Sequence, residues 1–256
     1  MTDVHVHMGF FRRIGRQSVW YYSPRRIFGL VKRCGVKEFI VSSTSAQIKE
    51  IGIADMIAEA VEMKRVAGRL AHIFFWLSWH LFEEDRAMKW LNSGLFEGVK
   101  FHELETPWIG RYSKELMSVL GVIERHGLPV QFHTGDNNCR VSDLLSVAKQ
   151  FPGVRFNFSH CKLMSESASA IYEQQNVFAD TAGVPIGQIQ MLKDYAWDNR
   201  LLYGSDIPTI QAYEDVSLTD YYRREVLAFS KLSIGHIQNF RSYLYGKSIR
   251  DSDNKQ

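Results

Sequence analysis

Short apolar segments rich in β-formers alternate with longer amphipathic stretches along the whole chain, and this alternation leaves few architectures open. The strand-like segments fall at 2–7, 37–42, 71–77, 98–102, 129–133, 154–159, 176–180 and 200–204. Helix-like stretches lie between them at 45–66, 83–92, 114–125, 141–149, 165–173 and 186–195, with a closing one around 234–244. Strand–helix–strand repetition points to parallel pairing, because parallel neighbours need a crossover rather than a tight turn. Junctions such as His126-Gly127-Leu128-Pro129-Val130 and Phe151-Pro152-Gly153-Val154 place a glycine past a helix end with a strand directly after it. Eight strands is the number that closes a (β/α)8 barrel. A doubly wound sheet would carry a glycine-rich turn after its first strand, and Met8-Gly9-Phe10-Phe11-Arg12 stands there instead. The expected fold class is α/β, a slightly distorted (β/α)8 TIM barrel forming a single domain over 1–256, with 251–256 a frayed polar tail.

Bulk properties narrow the function. A chain of 256 residues with 45% hydrophobic residues is ordinary for one soluble α/β domain. A net charge of +3 without a run of five basic residues argues against nucleic acid as a partner. The short basic clusters Arg12, Arg13, Arg16 and Arg25, Arg26 read as solvated loop residues, with contact to an anionic substrate as the other option. Cys34, Cys139 and Cys161 form no C-x-x-C pair, the usage of a reducing compartment. No basic-then-apolar leader opens the chain, and no apolar run approaches the roughly 18–20 residues of a membrane span. The expectation is a cytoplasmic protein with no membrane partner.

The chemistry gathers at strand ends. Asp3-Val4-His5-Val6-His7 alternates, so Asp3, His5 and His7 share one face of the first strand. Alone, this H-x-H suits an exposed edge strand as well as a metal. Lys100 and His102 end the fourth strand, His133 the fifth, His160 the sixth and Asp206 follows the eighth. In a barrel these ends meet on one face, where active sites are built. Core packing does not require polar side chains at the same end of five strands. Imidazole and carboxylate together suit zinc, and also manganese, iron, nickel or cobalt. Such an ion lowers the pKa of a bound water towards ~7 and needs a neighbouring base to carry protons.

Other residues are open to two readings. Trp76, Trp79 and His80 at the third strand's end, and Trp108 in a later loop, could wall a substrate or simply anchor the core. Cys161 neighbours His160 but points to the opposite face of a strand, so thiol catalysis is not expected. Asp180 is placed to orient a ligand histidine. His72, His126 and His236 read as structural.

The pieces D-V-H-V-H (3–7), G-V-K-F-H (98–102), V-Q-F-H-T-G (130–135), F-S-H-C (158–161), V-F-A-D-T-A-G (177–183) and L-Y-G-S-D-I-P (202–208) together resemble the amidohydrolase superfamily of metal-dependent hydrolases. The last three look most like its "amidohydrolase 2" branch, which includes decarboxylases and lactonases. The resemblance implies a metal-dependent hydrolase that activates water against a small amide, ester or lactone. The alternatives are a non-oxidative decarboxylase on the same scaffold and a non-catalytic metal-binding barrel. It implies His5, His7, His133 and Asp206 as metal ligands, with His160 and Lys100 as further candidates. Asp206 and His160 would be the catalytic pair. Lys100, His102 and Trp76 would face a small-molecule, carboxylate-bearing substrate. One divalent ion is expected rather than two, zinc before manganese, iron, nickel or cobalt; a carboxylated Lys100 would go with two. TatD-like nucleases fit less well, since Glu103 falls on the face opposite Lys100. Histidinol-phosphatase-like phosphoesterases lack their D-x-H, because Ile207-Pro208 follows Asp206. Aromatics around 21–28 and 213–222 would suit a homodimer.

Overall fold

The structure is a computed structural model and describes residues 1–12, 19–48, 53–78, 89–103, 106–134, 140–160, 173–185, 187–189, 199–212, 215–232 and 236–246. The helices expected at 83–92, 165–173 and 186–195 lie largely outside these residues, as do Trp79, His80, Cys139, Cys161 and the tail 251–256. Two compact units emerge, Met1–Lys100 with Gly204–Lys231 and Phe101–Tyr203 with Leu232–Gln256.

In the first unit, β1 (Thr2–Arg12), β3 (Glu38–Ser43), β4 (Ala71–Trp76) and β5 (Gly98–Phe101) pair in parallel in that order. Their cores are almost wholly apolar, as in Phe39-Ile40-Val41 and Ile73-Phe74-Phe75-Trp76, the signature of strands buried on both faces. The register sets His7 opposite Ser42, and Trp76 opposite Lys100. A register shift between Asp3 and Val6 interrupts the β1–β3 ladder where the first histidine stands. The late segment Gly204–Ile207 returns along β1, with Asp206 N donating to His5 O at 2.8 Å and His7 N to Ile207 O at 2.7 Å. Residue 206 is thereby fixed beside residues 5 and 7.

Two helices here, Pro24–Arg33 and Leu218–Ser230, were not anticipated, whereas Ile53–Ala67 lies in the stretch expected at 45–66. α1 (Pro24–Arg33) starts at Ser23, whose side chain accepts from Arg26 N, and Pro24 occupies its first turn. It buries Ile27, Leu30 and Val31, each worth ~1.5–3 kcal/mol. α2 (Ile53–Ala67) packs against α1. Further on, a helix at Leu218–Ser230, capped by Ser217 and labelled α5 below, carries the fully buried Tyr222.

The first strand was expected to stop at His7 but runs on to Arg12, where β2 (Val19–Tyr22) folds back on it antiparallel. Gly9, at φ +95°, lets this overhang pass Ser43, Ser45 and Glu59, since a β-carbon there would collide with all three side chains. The aromatics offered as a dimer face are divided: Tyr21 is 43% exposed, whereas Tyr22 and Tyr222 are buried at 3% and 0%.

In the second unit β6 (Val130–Phe132), β7 (Phe156–Phe158), β8 (Val177–Asp180) and β9 (Leu201–Leu202) are parallel neighbours in chain order. α3 (Ser113–Arg125) ends as expected, with Gly127 at φ +63° leading into β6. α4 (Val141–Gln150) is tied to β7 by Asn176, whose Nδ2 donates to Ala148, Phe151 and Val154 carbonyls. In the closing helix α6 (His236–Tyr245), Tyr243 donates to Val130 O. Among the described residues no helix is long and apolar enough to cross a membrane.

Candidate metal centre

Strand alternation and the returning segment bring three donors together in the first unit. His5 Nε2 and His7 Nε2 are 3.1 Å apart. Asp206 Oδ1 lies 3.0 Å from His7 Nε2 and 3.5 Å from His5 Nε2. Ligand atoms held tetrahedrally by bonds of ~2.0–2.1 Å stand ~3.3 Å apart, so these separations fit one ion shared by all three. His7 Nδ1 lies 3.0 Å from Ser42 Oγ, a contact that fixes the ring and leaves Nε2 facing the other donors. Burial first, then the Lys100 charge, pulls the His7 imidazole down to about 3, so the ring is neutral, the form that binds a metal.

The backbone at Asp206 is strained. Its φ is +57°, a left-handed conformation that L-residues other than glycine seldom adopt. Asp206 N to His5 O, and Thr209 N to Asp206 O at 2.9 Å, hold it there. Strain of this kind persists where the surroundings over-determine it, commonly at functional sites.

Lys100 is buried at 1% exposure, with Nζ 2.6 Å from His5 Nε2 and 3.3 Å from His7 Nε2. The Trp76 ring lies 5.0 Å from that Nζ and 5.4 Å from the His7 ring. Lys100 and Trp76 thus lie beside the two histidines in the first unit. An ammonium and a divalent cation repel at this range, so the donor set fits an ion with Lys100 neutral, modified or turned aside.

Asp3 does not point at an ion. Its buried carboxylate accepts from His5 N at 3.0 Å, Ser205 N at 3.2 Å and Tyr222 Oη at 2.8 Å. Burial pushes the carboxyl up to about 6 against the opposing hydrogen bonds. It clamps β1, the returning segment and α5 together behind the histidines.

The remaining candidates meet in the second unit. His160 Nε2 lies 2.9 Å from His133 Nδ1, and the His102 ring stacks on His133 at 3.9 Å. His160 Nδ1 lies 3.1 Å from Ala182 O, an acceptor only, so Nδ1 carries the proton. Its Nε2 then accepts from His133 Nδ1–H, which leaves His133 Nε2 bearing the lone pair. His160 also has a left-handed backbone, at φ +77°. Asp180 was expected to orient a histidine ring; it holds the backbone instead, accepting from His160 N and Ala182 N through Oδ1. Its Oδ2 accepts from Asn157 and Gln131.

Glu103 follows His102 and faces a different group, the loop amide Ile109 N at 3.1 and 3.2 Å. Burial raises its carboxyl to about 7 against these amides. With a folded pKa above the ordinary 4.5, the native chain binds more protons than the unfolded chain between pH ~4.5 and ~7. Its contribution to stability therefore falls as pH rises through that window. Glu103→Gln is expected to flatten the corresponding slope of melting temperature against pH; an unchanged slope would assign the titration elsewhere.

Several positioning residues escaped the sequence reading. Asn157 in F-N-F and Gln131 in V-Q-F are buried polar residues inside apolar strands, a pattern that could have flagged them. Ser42 and Tyr222 carry no such signal. His72 behaves as expected, pairing with Glu97 at 2.6 Å.

Comparisons with known proteins identify a matching family and a shared fold. The amidohydrolase family model matches residues 46–228, well over half of the chain. None of the curated proteins matches. An uncharacterised TIM-barrel protein of Bordetella bronchiseptica is similar over 98% of both chains at 13% identity and a TM-score of 0.63. A probable 2-pyrone-4,6-dicarboxylic acid hydrolase of Acinetobacter baumannii, with citric acid bound, is 12% identical, covers 95% of this chain and 98% of its own, and has a TM-score of 0.70. An amidohydrolase of Burkholderia multivorans with bound zinc is 14% identical over 97% of both chains, with a TM-score of 0.66. At such identities the likeness shows the fold, that of the α/β TIM-barrel class.

Proposed function

The chain belongs to the amidohydrolase family, and from that premise we propose that it is a metal-dependent hydrolase acting on a small ester, lactone or amide. The observation that carries the reading is the convergence of His5 Nε2, His7 Nε2 and Asp206 Oδ1, all within 4.8 Å of one another. A divalent ion bound there, zinc before manganese, iron, nickel or cobalt, would supply Lewis acidity and a water acidified towards ~7. One ion is favoured, since the three donors form a single cluster.

The protein's own groups do the rest. His7 presents a neutral nitrogen beside His5 Nε2, and Ser42 keeps the His7 ring turned. Asp206 both carries charge to the ion and takes a proton at a carboxylate oxygen. Lys100, when protonated, suits a substrate carboxylate, in keeping with the dicarboxylic acid named for one structural relative. Trp76 closes the apolar side of that lysine. His133 and His160 keep the roles that the family resemblance gives them, a further ligand and a polarising group, and His102 that of a substrate contact. The three scattered cysteines support a cytoplasmic setting; the exposed Tyr21 leaves a homodimer as the assembly to test.

Metal content and hydrolysis measured on the same sample test the proposal. Protein purified without chelator is expected to hold about one transition-metal ion per chain. Chelation should abolish hydrolysis of a panel of small lactones and esters, and zinc or manganese should restore it. Substoichiometric metal with no gain on adding either would overturn the reading. Release of carbon dioxide from unsaturated acids, without hydrolysis, would redirect it to a decarboxylase.

A further inference from the structure

A cleft lies in the second unit, at the N-terminal ends of its strands, opposite the ends that carry His133 and His160. It is open to solvent on one side and has a volume of about 730 Å³, within the ~300–1,000 Å³ range of small-molecule sites. Arg155 precedes β7 and Arg200 precedes β9, and both guanidinium groups line the space. Gln175, Asn199, Gln238 and Ser242 contribute neutral donors, and no carboxylate stands among the described lining residues.

The two arginines are incompletely satisfied by the protein. Arg155 donates through Nε to Tyr243 O at 2.6 Å, and through Nη2 to Gly127 O and Leu244 O. Its Nη1 is left beside Gly246, where a β-carbon would lie only 3.1 Å away, so the glycine keeps that nitrogen uncovered. Arg200 Nη1 donates to Gln174 O, while its Nε is buried without a hydrogen-bond partner among the described residues. Burial lowers the pKa of both groups, opposed at Arg155 by Tyr243. Two positive charges at one cleft, with no carboxylate among its described lining residues, form an electrostatic sink for an oxyanion. Guanidinium matches the paired oxygens of phosphate and carboxylate, and the flanking amides can hold a polar body.

We propose that this cavity binds a small oxyanion, a phosphate- or carboxylate-bearing metabolite, at a site separate from the metal donors. The site is independent of the hydrolase reading and would place an effector or product contact at the strand ends opposite those of His133 and His160.

Calorimetric titration of the metal-loaded protein with inorganic phosphate, and separately with succinate, tests the proposal. Saturable binding of one anion per chain is expected, and the tighter of the two identifies the headgroup. Gln238→Glu, an isosteric change on the exposed face of α6, should weaken that binding at least tenfold with metal content unchanged. Arg200→Gln should do the same. An anion held by the metal instead would bind Gln238→Glu as tightly as wild type, and that outcome overturns the proposal. So would the absence of saturable binding of either anion to the wild type.

Discussion

Replacing Asp206 with asparagine is expected to lower hydrolytic turnover by about 10²–10⁴-fold, the range for loss of a positioned proton carrier. It should also weaken metal binding. Asparagine keeps the shape of the side chain and an oxygen that can lie near His7 Nε2, now 3.0 Å from Oδ1. What disappears is the negative charge, and with it both the attraction for a divalent cation and the capacity to accept a proton. The backbone is the reason for choosing asparagine over alanine. Residue 206 is held at φ +57°, and asparagine tolerates the left-handed region far better than alanine does. The hydrogen bonds from Asp206 N to His5 O and from Thr209 N to Asp206 O are main-chain and survive the change. Melting temperature should therefore stay near that of the wild type while activity collapses. Metal analysis, melting and initial rates on one preparation separate these effects. Full turnover at full metal occupancy would remove Asp206 from the chemistry.

The strand ends were legible because a barrel converts sequence position into spatial position. Short apolar runs gave β3 to β8 to within a residue or two, and each polar residue just beyond a run fell at a C-terminal end. His5, His7 and Asp206 could be grouped from that rule alone. What it could not supply is the contact between side chains. Alternation put Lys100 on the histidine face, but only the packing shows its Nζ 2.6 Å from His5 Nε2. The β1–β2 hairpin was missed for a different reason. Phe10-Phe11-Arg12 and Val19-Trp20-Tyr21-Tyr22 read as loop aromatics among arginines, and a strand of four residues shows too few repeats for a period of two. α1 and α5 did carry serine caps, Ser23 with Pro24 behind it and Ser217, but their arginine-rich turns blurred the apolar stripe. Asp3 was grouped with the histidines by alternation. Its role as a clamp depends on Ser205 and Tyr222, about two hundred residues away in sequence, and no local pattern records that.

That clamp makes Asp3→Ala the substitution with the largest expected effect on stability. The carboxylate is completely buried and gathers His5 N, Ser205 N and Tyr222 Oη. Truncation leaves these donors facing a cavity, and losing one member of a buried charged network costs about 3–5 kcal/mol. For a chain of this length each kcal/mol moves the melting temperature by roughly 2–4 °C, so a fall of about 10 °C is expected. Tyr222→Phe removes one donor and no charge, and should cost about 1–2 kcal/mol. The pH dependence distinguishes the clamp from simple loss of packing. Because the folded carboxyl titrates near 6, above the ordinary 3.8, the native chain binds the extra proton between these values. Wild-type stability should decline as pH rises from about 4 to 6, whereas Asp3→Ala lacks that slope, so the gap between the two narrows towards neutral pH. Parallel denaturant melts at both ends of the window measure it. A gap of the same size at both would mean that Asp3 is not the titrating group, and a melting temperature within 2 °C of wild type would mean that the clamp contributes little to the fold.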